Sequence, residues 1–515
     1  MKKHFFCLFL VVCSLSVFMA CSDDDNEPEP LKDGPVIEWP SNSDFKTVEL
    51  ETDMTGKAVI VVKAEEGIKD FKLTIASKVL TQEILGAIGL STDMDLINDE
   101  NVVDILGTFH IPVGSELKNA TSVNFDVSGL VPMILALNPE ESGDHIFGLN
   151  ITDNKGRSIQ KDLTFHNTVP SAFTVSEVDL WTNSALVSVE HLQEGAEVQY
   201  RLTGEEEWID LTKNADGKYE IKPDWTEGMN DAGLTIYNVN SKSGFFAKKR
   251  YEFRAIVGEE VIGTGIYTTA GGDTIPNGDM SNWSEKKMGT SKVPFPNAQD
   301  NSFWDSGNNA YTTKSPLCSQ GTDNDAGTAV LKATKVLGAV FAAGNMFTGT
   351  FTQSGFTGNA NFGVNYTFTA RPVALKLRYK VKVDICNNGG TYDPQKDEYL
   401  NQKIDEARIF VAITDWTSSH TVTSGLADPT PTIWDPATQK STAEGDILAY
   451  ASVNLGENAE DWKELIIPIN WYSPAAAMPS KDYSLVISCA TSARGDYLTG
   501  STNNELHVDD FEWVY

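Results

Sequence analysis

Short runs of alternating apolar and polar residues, broken at close intervals by Gly, Asn, Pro and Lys-rich turns, set the strongest limit on this chain. Thr47-Val-Glu-Leu-Glu-Thr52, Ala58-Val-Ile-Val-Val-Lys63 and Phe71-Lys-Leu-Thr-Ile75 are early examples, and Leu375-Lys-Leu-Arg-Tyr-Lys-Val-Lys-Val383 is a late one. A period of two sends successive side chains to opposite faces, as in a half-buried strand. The expected class is therefore all-β. At 515 residues the chain exceeds what one core can serve, and a multidomain arrangement of three folded units, with four the alternative, follows.

Residues 37–168 read as an immunoglobulin-like sandwich with inserted helices. Its strands are joined by Ser122–Val127, His145–Thr152 and Gln160–His166. Leu and Ile recur at spacings of three and four in 79–90 and 95–106, with a shorter helical candidate at 130–137. Residues 169–271 resemble a fibronectin III-like sandwich, with Trp181, Trp208 and Tyr251 expected in its core. Gly271-Gly-Asp-Thr-Ile-Pro276 reads as a short linker. Residues 274–515 carry many strands, among them 407–414, 448–455, 462–469 and 483–490, separated by long loops at 386–402 and 417–444. That pattern predicts a jelly roll presenting its binding surface on loops or a concave sheet.

The N-terminus carries an address. Lys2 and Lys3 precede an apolar stretch from Phe5 to Phe18, about 14 residues, which is too short to span a bilayer and fits a signal peptide over residues 1–20. Ala20 before Cys21 resembles the lipobox of bacterial lipoproteins, in which the cysteine is lipidated. Ser22-Asp-Asp-Asp25 resembles the export tag of Bacteroidetes surface lipoproteins. Residues 21–36 then form a lipidated acidic tether. The resemblance implies an outer-membrane, surface-exposed location, with membrane contact through the lipid anchor alone.

With 72 acidic against 40 basic residues, the net charge is -32. That disfavours nucleic acid, whose phosphates need a basic surface, and anionic headgroups likewise. After Cys21 only Cys318, Cys386 and Cys489 follow, with no CxxC spacing for zinc. They read as buried small residues, with a Cys386–Cys489 bridge as the alternative. Seven scattered histidines form no ligand cluster. No HExxH, P-loop or nucleophile elbow stands in a supporting context, and any pair among so many carboxylates could mimic a glycosidase, so enzyme activity is left open.

The last unit holds four separated motifs. It opens on Pro276-Asn-Gly-Asp-Met280 with Trp283, continues with Phe303-Trp-Asp-Ser-Gly-Asn308, and closes on Ser492-Ala-Arg-Gly-Asp-Tyr-Leu-Thr-Gly500 and Leu506-His-Val-Asp-Asp-Phe-Glu-Trp-Val-Tyr515. Together they resemble the putative carbohydrate metabolism domain (PCMD) of Bacteroidetes surface lipoproteins, a jelly roll similar to galactose-binding-like carbohydrate-binding modules. The resemblance implies a structural calcium, for which Asp279 with Asp509 or Asp510 are candidate ligands. Asp509 and Asp510 are expected on opposite faces of one strand, so one of them serves.

A glycan ligand calls for flat aromatic faces and planar polar groups. The candidates are Trp304, Trp416, Trp434, Trp471, Tyr472 and Tyr497, with Asn308, Asp415, Arg494 and Asp496. Trp416 and Trp434 border a Ser/Thr/Pro-rich loop, where exposure is expected. Arg494-Gly-Asp496 matches an integrin-type tripeptide, which recurs by chance. The expected partners are a polysaccharide or oligosaccharide, with an outer-membrane glycan importer or a surface hydrolase beside it. A structural or adhesive cell-surface protein is the alternative, and a glycoside hydrolase the third reading.

Overall fold

The computed structural model describes residues 33–515 apart from 138, 300, 427–432 and 478–483. The signal-peptide stretch, Cys21 and most of the acidic tether lie outside the described residues. The chain divides into two compact units, Met1–Val169 and Pro170–Tyr515. No described helix is long and apolar enough to cross a membrane.

In the first unit a 5-stranded sheet orders Val48–Glu49, Ser158–Asn167, Gly143–Asp153, Ile68–Ala76 and Asp93–Asp95. It shares one core with a 3-stranded sheet of Val36–Glu38, Val59–Lys63 and Ser122–Asp126. Phe71 and Phe125 meet across that core at 5.0 Å. The three helices overlap the expected windows but are shorter, at Gln82–Ala87, Glu100–Gly107, which runs one residue past its window, and Met133–Ala136. Thr81 and Asp99 cap the first two by accepting backbone N–H groups, which satisfies donors that a helix start leaves open. Gly89, at φ 84°, ends the first.

The second unit has two cores. The first lies between a sheet of Thr212–Lys213, Tyr219–Ile221, Ser184–Glu190 and Ala172–Asp179, and a sheet of Ile209–Asp210, Glu197–Leu202, Arg250–Val257 and Glu260–Thr268. Tyr200, Phe245, Tyr251 and Phe253 fill it. Tyr251 is core as expected, but Trp181 instead joins the C-terminal core, edge-on to Trp471 at 5.5 Å. Trp208 also departs from its expected core position: it is half-buried between the guanidinium groups of Arg201 and Arg254, at 4.4 and 4.3 Å. Cation–π attraction holds such a sandwich at the surface.

The C-terminal core separates a 5-stranded sheet from an 11-stranded one. The smaller sheet orders Cys318–Gln320, Ala329–Lys332, Glu505–Val514, Ala374–Lys382 and Ala459–Pro468. The centre of the larger is Ile447–Leu455, Ala407–Thr414, Ser484–Ala490 and Asn345–Ser354, extended by Thr357–Phe362 and His420–Gly425. Leu375, Leu377, Leu506 and Val508 share this core with Ile409, Val411, Ile413 and Ile487.

The expected linker is not free. A hairpin of Trp225–Met229 and Thr235–Val239 leaves the first sandwich and joins the larger C-terminal sheet, pairing Tyr237 with Trp471. Asn238 Nδ2 donates to Ile469 O at 3.0 Å, and Asn230 Nδ2 to Ala437 O at 2.8 Å. Buried Arg371 lies over Trp181, Trp225 and Trp471 at 5.1, 5.2 and 4.6 Å. Its Nη1 and Nη2 donate to Pro474 O and Ala476 O. Within 271–276, Asp273 accepts from Thr369 N and Oγ1 at 2.8 Å each and donates its N–H to Tyr515 Oη. The residues between the sandwiches are thus tied down on both sides.

Cys318, Cys386 and Cys489 are free and buried, with no Cys386–Cys489 bridge. Loss of water raises all three thiol pKa values, Cys386 to about 12, so they stay protonated and inert.

Candidate functional site

Ala407-Arg-Ile-Phe-Val-Ala-Ile-Thr414 is apolar on one face and, but for Arg408 and Thr414, on the other, which suits a strand covered on both sides. One face enters the core between the sheets. On the other, Phe410 joins Phe347, Phe362 and Trp434. Their rings meet edge-on: Phe347–Phe362 at 5.1 Å and 88°, Phe362–Phe410 at 6.1 Å and 84°, Phe410–Trp434 at 5.6 Å and 76°. Edge-to-face packing of this kind fixes ring positions. These rings line a cavity of about 180 Å³.

Its walls come from separate elements. The hairpin of Thr334–Val336 and Val340–Ala342 contributes Val336, Val340 and Phe341. Thr357–Phe362 and His420–Gly425 contribute Ala360, Val422 and Ser424. The turn at Gly495–Tyr497 contributes Asp496. Ser424 Oγ donates to Asp496 O at 3.0 Å, joining two walls.

Two aromatics stand exposed at this cavity. Tyr311 is 46% and Phe356 54% accessible, and their rings stack at 6.2 Å and 21°. Phe356 sits at the tip of the turn between Asn345–Ser354 and Thr357–Phe362, after Gly355 at φ 59°. Glycine in that first turn position matches the twist of the flanking strands. Tyr311 is held by its N–H donating to Asn309 Oδ1 at 2.9 Å. Asn309, Asn345 and Gln353 also line it. Their amides are each already bonded within the chain, Asn309 to Gly307 O and Tyr311 N, Asn345 to Gly307 N and Ala343 O, and Gln353 to Gly355 O, so a ligand meets only their remaining capacity.

Deeper in, Arg408 and Asp496 line the cavity, and Arg408 Nη2 binds Asp435 Oδ1 at 2.7 Å. Burial raises the Asp496 carboxyl to about 6, with the Arg408 charge pulling the other way. The arrangement offers a stacking surface, an apolar floor, and acceptors and donors of both kinds.

Of the sequence candidates, Asp496 reaches this site exposed to its interior, and Trp434 reaches it as buried floor. The expected exposure of Trp416 and Trp434 is corrected: both are buried, as are the other candidates Trp304, Trp471 and Tyr472. The second apolar face of the central strands had to be covered, and these rings cover it or fill the core. Trp304 Nε1 donates to Pro276 O, and Tyr472 Oη to Pro436 O. Asn308 is buried and bridges Pro294 O and Cys318 O through Nδ2. Asp415, although exposed, accepts the Asp446 N–H at 2.6 Å and closes a turn.

Arg494 is spent on Asp393 and Gln395, and its guanidinium lies over Tyr399 and Tyr497. With Arg494 pinned and Asp496 turned into the cavity, the Arg-Gly-Asp tripeptide is not presented as a free loop.

Tyr311, Phe356 and Arg408 were missed. Their signals were present: an aromatic at a hairpin tip has no core to enter, and a charge inside an apolar strand needs a partner.

The candidate calcium ligands do not fit a cation. The chain ends do meet, with Phe511 N donating to Gly278 O at 2.8 Å. But Asp510 takes φ 53° and shifts the strand register against Ala374–Lys382. That bulge turns both carboxylates toward Arg378, whose Nη2 binds Asp509 Oδ2 at 2.5 Å and whose Nε binds Asp510 Oδ2 at 2.7 Å. The expectation of opposite faces fails for this reason. A guanidinium holds the position a cation would need, while Asp279 is exposed and accepts only weakly from Ser281 N at 3.4 Å. Among the described residues no group of three or more His, Cys, Asp or Glu could hold a metal.

Residues 279–514 match the family model described as putative carbohydrate metabolism domain. No curated protein matches the chain. Among solved structures, a putative glycoside hydrolase from Bacteroides thetaiotaomicron VPI-5482 is 16% identical, with 63% of this chain and 98% of that one covered, at a TM-score of 0.31. Another, from Bacteroides vulgatus ATCC 8482, is 17% identical over 47% of this chain and 94% of its own, at 0.30. SGBP-B of the Bacteroides ovatus mixed-linkage glucan utilization locus, in complex with a mixed-linkage heptasaccharide, is 9% identical over 89% and 100%, at 0.13. At these scores the structural likenesses transfer neither ligand nor activity.

Proposed function

We propose that this carbohydrate-metabolism-type domain captures glycan in the cavity beside Tyr311 and Phe356, on a chain anchored to the cell surface through lipidated Cys21. One observation carries the reading: two exposed, stacked aromatic rings stand over a cavity whose lining includes planar amides. Sugar C–H faces pack on aromatic rings, while amides and carboxylates exchange hydrogen bonds with hydroxyls. Asp496 is the one acidic side chain in the described lining. Glycoside hydrolysis ordinarily uses two carboxyl groups across the bond, so the lining suits binding better than cleavage. Captured polysaccharide would pass to a neighbouring importer or hydrolase.

The test is affinity electrophoresis of the full-length chain in detergent against plant, host and microbial polysaccharides. Retardation by a glycan, weakened in Phe356→Ala and Tyr311→Ala, is expected; no retardation by any of them would sink the reading. Labelled palmitate incorporated by the parent and lost in Cys21→Ala checks the anchor.

A further inference from the structure

Resting on that reading, we infer that the cavity takes a single uncharged sugar residue at a chain end and discriminates against glycans bearing uronate or sulfate. Its volume, about 180 Å³, is below the roughly 300–1,000 Å³ of pockets that hold drug-sized ligands. Walls rise from the 334–342 hairpin on one side, from 357–362 and 420–425 on another, and from the Gly495–Tyr497 turn. A long chain lying through the site would need an open groove in place of one of these walls. A chain end can enter without displacing any, and its next residue then meets the Tyr311–Phe356 stack.

The charge count gives the second half. Among the described lining residues the charged side chains are Arg408 and Asp496. Asp435, bound to Arg408 at 2.7 Å, already answers the guanidinium. Two carboxylates therefore face one cation, leaving a surplus negative charge in the cavity. An anionic sugar would add another carboxylate or sulfate beside Asp496, away from bulk water, where like charges repel strongly. The floor of Phe347, Phe362, Phe410 and Trp434 offers no compensating donor except the Trp434 indole. A neutral sugar can instead donate hydroxyl protons to the Asp496 carboxylate.

The experiment is calorimetric titration of the full-length chain with neutral gluco-, manno-, xylo- and galacto-oligosaccharides of one to six residues, and with oligogalacturonates of matching length. The expected result is a gain in affinity up to two or three residues and none beyond. Galacturonate oligomers should bind at least about tenfold more weakly than galactose oligomers of equal length. Asp496→Asn should narrow that gap, whereas Phe356→Ala should weaken both classes alike and leave their ratio unchanged.

Affinity climbing steadily to six residues would overturn end-on capture, and equal or tighter binding of the galacturonates would overturn the charge selection. Either result would leave glycan binding itself standing. An absence of heat with every sugar, together with no retardation on any polysaccharide gel, would remove the glycan reading and this inference with it.

Discussion

The two outward faces of the C-terminal sandwich are built on opposite principles. Across the smaller sheet runs a lattice of ion pairs: Lys332–Glu505, Lys376–Glu512, Arg378–Asp509 and Lys380–Asp325, with His507 between Asp325 and Glu505. Trp462 lies among them, 5.0 Å from both the Arg378 and Lys380 charges. Over the larger sheet the face is apolar, sunk beneath loops and the borrowed hairpin, and opens where Tyr311 and Phe356 stand. Alternation of core-facing and charged residues along Ala374–Lys382 leaves a face that water can wet. The apolar residues on both faces of Ala407–Thr414 demand a cover, and an incomplete cover leaves a cavity, with Arg408 in its lining. Charge satisfied in place keeps a surface inert, while aromatic surface left open is available for a ligand.

The contrast can be broken by substitution. The largest effect is expected for Trp434→Ala, which empties the floor: about 3–5 kcal/mol of unfolding free energy lost, read by urea denaturation. A loss under 1 kcal/mol would mean the floor is not packed as described. Arg378→Ala strands the buried Asp509 carboxylate on the opposite face. A loss of about 2 kcal/mol is expected, below the full cost of a stranded buried charge because the arginine is itself 44% exposed.

Asp496→Asn tests the cavity's charge through pH. The folded carboxyl titrates at about 6, above the unfolded value of about 3.9. Between these the native state holds the extra proton, so stability falls as pH rises through that window. The amide should remove this slope, raising stability at pH 7 by on the order of 1 kcal/mol and leaving it unchanged at pH 4, by melting temperature across pH. A variant no more stable at pH 7 would show that Asp496 is well hydrated.

Phe356→Ala should lower glycan affinity by about threefold to tenfold, the worth of one aromatic contact, with little change in melting temperature. Lys376→Ala, on the exposed lattice, should cost under about 0.5 kcal/mol and leave affinity unaltered. If Lys376→Ala and Phe356→Ala weakened binding equally, the two faces would not differ in function.

Much of the strand layout was legible, because period-two alternation reports one buried face directly. The expected runs 58–63, 71–75 and 145–152 lie on observed strands. The cover over the larger sheet was less so, although its signal was in the sequence: Phe410 and Ala412 are apolar where a wetted strand would carry polar residues. Following that signal would have buried Trp416 and Trp434 instead of exposing them. Asp510 was misread because strict alternation has no place for a bulge. The Tyr237–Trp471 pairing was beyond local reading, since neither hairpin nor partner strand names the other. What local pattern could not supply was the set of residues meeting at the cavity, drawn from segments as distant as 311, 356, 408 and 496.

The arginine clasped by three indoles carries a thermodynamic consequence. Trp181 and Trp225 belong to the chain of the first sandwich but pack into the C-terminal core beside Arg371 and Trp471, so the first sandwich cannot unfold without pulling rings out of that core. Heat should therefore melt residues 170–515 as one cooperative block, in a single calorimetric peak whose van't Hoff and measured enthalpies agree. Separate domains on a flexible strand would give two peaks. Arg371→Ala is the change expected to split the one into two.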